Sequence, residues 1–183
     1  LRGMIEEGSM SEAVSNYTQE DARTQFITGK AAMMINGPWE LSTLTKDAEI
    51  EWDVAPLPKD KRAATSMGGE NVVVMNGAKQ SAAAVKLAKY LTSAEGAKIY
   101  CDGSGQLSSR PDLQGKLKLS SDPKLKVFED QLQYAHARAY GKDYPKISEA
   151  IQLSMQEALT GASTPEAAAK KAADTMNPLL PKN

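Results

Sequence analysis

Aromatic, acidic and glycine residues at a few junctions carry most of the chemistry this sequence offers. Trp39 follows an apolar run at residues 31–35 and the turn Asn36-Gly37-Pro38, where a helical segment reaching Lys46 opens. An indole there gives a flat apolar platform for the C–H face of a sugar ring, and nearby helix N-terminal amides can donate to hydroxyls. The same spacing equally suits a tryptophan that packs on the helix it opens. Gly68, Gly69 and Glu70 precede a second apolar run at residues 71–75. Two glycines let a backbone approach a ligand closely, and a carboxylate accepts hydrogen bonds from hydroxyls. A plain glycine turn entering a strand is the equal alternative. Arg110, before Pro111, and Tyr144, before Pro145, stand at loop-to-element junctions, as ligand contacts or, more simply, as packing or surface residues. Trp52 lies on the inward face of an alternating segment and reads as core.

Other chemistries find little footing. His136 is the single histidine and Cys101 the single cysteine, so neither a structural zinc tetrahedron nor a disulfide framework can be assembled. His136, between Ala135 and Ala137, falls within an expected helix as a surface or packing residue. No Gly-x-Ser-x-Gly elbow occurs, no phosphate loop ends in Gly-Lys-Ser/Thr, and no spacing converges two carboxylates. The expectation is therefore no catalytic residue, no metal ligand and no cofactor. Basic and acidic side chains nearly balance, 22 against 23, and the lysines are scattered without interleaved aromatics, which argues against a nucleic-acid surface. A hydrophobic share of 41% with 25% charged residues is that of an ordinary globular chain. No stretch approaches the ~20 apolar residues of a spanning helix. The opening Leu1-Arg2-Gly3-Met4-Ile5-Glu6-Glu7-Gly8 reads as the end of an element already under way, so a fragment or processed chain is expected and the missing leader is uninformative.

The elements that must position these residues can be laid out from local signals. Thr18-Gln19-Glu20-Asp21 fits a capping box, and the helix it opens stops at Gly29. Residues 31–35 and 71–75 predict strands buried on both faces. Residues 49–54 alternate, with Ile50, Trp52 and Val54 on one side. An alanine-rich helix is predicted over residues 81–91 and a short one over 94–101. Residues 102–111 form a loop, and helices dominate thereafter. They start at Asp122-Pro123, at Pro145 with an end near Gly161, and at Thr164-Pro165. The class is α/β with an all-helical C-terminal tail.

The run Phe26-Ile27-Thr28-Gly29-Lys30-Ala31-Ala32-Met33-Met34-Ile35-Asn36-Gly37-Pro38-Trp39-Glu40 resembles the hallmark segment of the family 1 extracellular solute-binding proteins, the maltose-binding-protein-like components of ABC importers. The likeness continues through Val54-Ala55-Pro56-Leu57-Pro58 and Gly68-Gly69. It extends over Lys89-Tyr90-Leu91-Thr92-Ser93-Ala94-Glu95-Gly96-Ala97 and the closing Ala158-Leu159-Thr160-Gly161 and Thr164-Pro165-Glu166-Ala167-Ala168. The resemblance implies the C-terminal part of a two-lobe, periplasmic-binding-protein-like (type II) fold. In it, residues 1–62 and 113–183 belong to the second lobe and residues 63–112 cross back to the first. It also implies an extracytoplasmic receptor, periplasmic or lipid-anchored, that closes on a mono- or oligosaccharide and delivers it to ABC permease subunits without chemistry. Membrane association would come through the permease or an absent anchor. Within the resemblance, Trp39 is the stacking residue, and Gly68, Gly69 and Glu70 fall where relatives contact ligand. A second aromatic platform of some relatives is not reproduced, since Ser148 and Glu149 stand there with Tyr144 a turn earlier. The alternatives are the same fold with a polyamine, phosphoester or metal-chelate cargo, and a carbohydrate-active enzyme using Glu70.

Overall fold

The computed structural model describes residues 1–138 and 141–180. The chain divides into two compact units, Leu1–Asp21 with Arg138–Asn183, and Ala22–Ala137.

The first unit is helical. Helix α1 (Arg2–Glu6) and a 3-10 turn at Glu12–Asn16, capped by Ser11, accompany the long α7 (Tyr144–Thr160) and α8 (Pro165–Met176). Pro145 opens α7, and Gly161 ends it in the left-handed region at φ 77°, which favours glycine. Thr164 caps α8 by accepting from the Ala167 amide at 3.2 Å. Ile5, Ile147, Ala168 and Ala172 are the buried side chains here. Alanines on α8 allow close approach to α7, and Lys171 reaches Glu157 on α7 at 2.5 Å. Arg2 donates to the Leu159 carbonyl at 2.8 Å, placing a cation at the negative C-terminal end of α7.

The second unit holds α2 (Gln19–Ile27, which begins just before the boundary), α3 (Leu41–Asp47), α4 (Ser81–Leu91), α5 (Ala94–Ser104) and α6 (Pro123–Gln131). The cap of α2 is reciprocal. The Asp21 amide donates to the Thr18 hydroxyl at 3.1 Å, and the Thr18 amide donates back to the Asp21 carboxylate at 2.9 Å. Those bonds, the backbone one foremost, hold the Asp21 carboxyl below its usual range. Cys101, Leu113 and Leu117 form a buried cluster against Ala97, with burial raising the Cys101 thiol. Asp102 pins the loop that carries Leu117. Its carboxylate accepts from the Lys118 amide at 2.6 Å and from Lys98 at 2.7 Å, and both bonds lower its pKa.

Most helices start and stop near their sequence signals, although α5 runs on through Ser104 into the expected 102–111 loop before Gly105 closes it. The strands do not follow their prediction. Residues 31–35, 49–54 and 71–75 are neither helix nor strand. The sheet among the described residues is one parallel pair, β1 (Thr65–Met67) with β2 (Ala135–Ala137), in the register Thr65↔Ala135. A strand exists only where a neighbour takes up its amides and carbonyls. No described segment does so for the two apolar runs, where Met33 and Ile35 are 82% and 79% exposed and Val73 70%. The 49–54 segment keeps its expected alternation in burial even without a ladder, with Ile50, Trp52 and Val54 on the more sheltered side. Trp52 is half-buried rather than core, and the Lys124 ammonium sits 4.9 Å from its ring centre. His136 lies in β2, not in a helix, because α6 ends at Gln131 and the chain then pairs with residues 65–67.

Candidate functional site

The geometry around Trp39 is built by residues close in sequence and by one glycine far from it. Pro38 opens a 3-10 turn, Pro38–Glu40, that runs directly into α3. Its fixed φ and missing N–H suit a first helical position. The Glu40 amide donates to the Gly37 carbonyl at 3.2 Å and closes the turn. The six-membered ring of the Trp39 indole rests against Gly37, where a methyl group would fall inside the ring's own space. Gly37 has an extended backbone, so its role is steric and not conformational. Behind the turn stands Gly105, the residue that caps the C-terminal end of α5 at φ 70°. A methyl on it would come within 3.3 Å of the Pro38 carbonyl oxygen and the Trp39 Cα. Trp39 itself stays 37% exposed, with Gly37, Pro38 and Glu40 buried around it. An indole held from behind and open in front can receive an apolar ligand face.

Glu40 is the buried acid of the described residues, at 4% exposure. Arg23 of α2 donates to its Oε2 at 3.1 Å and the Asn36 amide group to its Oε1 at 3.4 Å. Asn36 Oδ1 in turn accepts from the Gly37 amide at 2.9 Å. This support was not read from the sequence. Arg23 is seventeen residues from Glu40, and only the fold brings the opposite charges together. The one available signal was an acid set among Pro38, Trp39 and Leu41, a neighbourhood that tends to be buried.

The other expected positions are arranged less tightly. Gly68, Gly69 and Glu70 follow β1 and are exposed, and Glu70 makes no hydrogen bond or ion pair with the described residues. Arg110 is engaged structurally. It makes two bonds to the Asp112 carboxylate, both at 3.0 Å, and one to the Thr92 carbonyl at 3.0 Å, just past the end of α4. The Asp112 partner raises the Arg110 pKa and Arg110 lowers that of Asp112. No hydrogen bond or ion pair among the described residues links Trp39, Glu70 and Arg110 to one another. Tyr144 opens α7 in the first unit. An open hollow of about 390 Å³ lies in that unit between α7 and α8, lined by Leu153, Ala172 and Leu179. Its Glu157 and Lys171 already pair with each other. No group of three or more His, Cys, Asp or Glu side chains among the described residues is arranged to hold a metal. No helix among them is long and apolar enough to cross a membrane.

Comparison with known proteins adds to this geometry. Residues 2–127 match the sequence pattern of the family described as bacterial extracellular solute-binding protein. A maltooligosaccharide ABC transporter solute-binding lipoprotein of Streptococcus pneumoniae is 29% identical over 115 residues, 61% of this chain and 26% of that protein. Among solved structures, an ABC transporter solute-binding protein from Thermotoga lettingae, bound with α-D-tagatose, superposes with a TM-score of 0.77 at 33% identity, covering 90% of this chain and 43% of that one. The maltose-maltodextrin binding protein of Alicyclobacillus acidocaldarius gives 0.76 at 25% identity, covering 96% and 48%. The chain thus spans less than half the length of each of these relatives. The fold is part of the periplasmic-binding-protein-like type II fold.

Proposed function

The chain belongs to the bacterial extracellular solute-binding proteins, and from that premise we propose that it forms part of an ABC-importer receptor that binds a carbohydrate and delivers it to the permease. The observation that carries this reading is the Trp39 platform, an indole seated on Gly37, backed by Gly105 and open on its outer side. A sugar offers such a face a patch of C–H groups, and its hydroxyls find acceptors and donors at the rim. Glu70, exposed behind Gly68 and Gly69 and without a hydrogen bond or ion pair among the described residues, is the proposed hydroxyl acceptor. Tyr144 is a proposed further contact contributed from the start of α7. In this reading residues 63–112 belong to one lobe and the remainder to the other, and ligand shifts the receptor toward a closed state that the permease selects. The receptor acts outside the cytoplasm, in a periplasm or on a lipid anchor. It performs no reaction, in keeping with relatives that are named as binding proteins.

An anionic cargo is the weaker reading. It would need guanidinium or ammonium groups turned toward the ligand, and Arg110 already directs three of its N–H groups to Asp112 and Thr92. Titration of the protein carrying this sequence with maltose, maltodextrins and α-D-tagatose, followed through tryptophan emission, tests the proposal. A saturable change with at least one of them is expected. Silence toward these and a wider panel of mono- and oligosaccharides would remove the carbohydrate assignment.

A further inference from the structure

We infer that Arg23 and Glu40 are positioning residues that lock the Trp39 platform in its ligand-receiving orientation, an inference that rests on the reading of Trp39 as a ligand face. Glu40 is next to Trp39 in the chain, yet its carboxylate points into the protein and is almost wholly withdrawn from water. A buried carboxylate is tolerated only when paired and hydrogen-bonded. Here both oxygens are used, one by Arg23 and the other by Asn36. Asn36 passes the constraint to Gly37 by accepting its amide proton. The polar chain therefore runs from α2 through Glu40 and Asn36 to the glycine on which the indole rests, and it fixes the turn on both sides of Trp39.

Among the described residues, no hydrogen bond anchors the Trp39 ring itself. Its place is set by steric contact with Gly37 and by the backbone of the turn, which Gly105 backs. Without Arg23, the Glu40 carboxylate is left buried without its counter-charge, and the turn can relieve this by carrying Glu40 toward water. Any such rotation moves the adjoining Trp39 off Gly37. The ion pair is also asymmetric, with side-chain exposure of 26% for Arg23 and 5% for Glu40, so it is Glu40 that loses most when its partner is removed.

The test uses Trp52→Phe protein, in which Trp39 is the sole remaining tryptophan. Acrylamide quenching of Trp39 is read without ligand, and binding of maltose and α-D-tagatose by calorimetry. Arg23→Met is expected to raise quenching and to weaken sugar binding about tenfold or more, the scale of a misplaced binding group. Arg23→Lys, which retains the charge, is expected to lie closer to the parent in both readouts. Lys98→Met, which removes a different ion pair of the same unit, is expected to change neither. If Arg23→Met loses its far-UV circular dichroism, Glu40→Gln takes its place with the same expectations. Unchanged quenching and affinity in the Arg23 or Glu40 variant would overturn the inference, as would equal changes from Lys98→Met. Should the parent bind none of the sugars, the carbohydrate reading fails for them, while the quenching comparison still decides whether the pair positions Trp39.

Discussion

The α7–α8 pair and the segment from residue 31 to Glu40 place apolar side chains in opposite circumstances. On α7 and α8, Ile147, Ala168 and Ala172 are buried within one unit, and Gly161 and Thr164 mark the end of one helix and the start of the next from nearby in the sequence. Along residues 31–40 the order is reversed. Met33 and Ile35 stand in water while Gly37, Pro38 and Glu40 are buried and Trp39 is held between. A helix satisfies its backbone internally and needs only one face covered, whereas an extended apolar run needs a neighbour for its backbone as well. The first region is therefore complete within its own residues. In the second, the described residues complete only the turn that carries Trp39.

That contrast can be broken most forcefully at Ile147. Ile147→Ala is expected to destabilise its unit by about 2–5 kcal/mol in urea unfolding, the usual result of emptying a packed site. A loss near zero would mean that the α7–α8 interface is not a packed core. Thr164→Ala should cost about 1 kcal/mol by removing the cap of α8, readable as a shift of the urea midpoint at unchanged slope. In the second unit, Asp102 supplies a pH-dependent contribution. Its pKa is lowered by the Lys118 amide and then by Lys98, so its stabilisation is present above the unfolded aspartate value and is lost as pH falls through the lower folded one. The stability gap between the parent and Asp102→Asn should accordingly be flat near neutrality and shrink below about pH 4. A gap that widens on acidification would contradict the assigned bonds. Smallest of all should be Met33→Ser in this chain, within about 0.5 kcal/mol of the parent, as for other exposed positions. A loss comparable to that of Ile147→Ala would show that the apolar run is buried after all.

The helices were legible because their signals are local. Thr18 with Asp21, Pro123, Pro145 with Gly161, and Thr164 with Pro165 each mark an end within a few residues of it. The residue pattern singles out Trp39 as either a ligand platform or a packing residue, and only the resemblance of residues 26–40 favours the first. The strands at 31–35 and 71–75 were not recoverable as strands, because strand identity depends on a partner and apolar content only permits it. The same limit hid the seat of Trp39. Gly105 and Arg23 reach the turn only through tertiary packing. The sequence leaves Arg110 open between a ligand contact and a packing residue. Asp112 is a local partner two residues on, whereas the Thr92 carbonyl meets it only through the fold.

The central claim is that the exposed Trp39 indole is the face that receives ligand. Calorimetric titration of the parent and Trp39→Ala with the sugar that binds best tests it most directly. Loss of affinity by about 1–3 kcal/mol, with unfolding stability little changed, is the predicted result. An unchanged dissociation constant in Trp39→Ala would contradict it and leave Trp39 a packing residue of the turn.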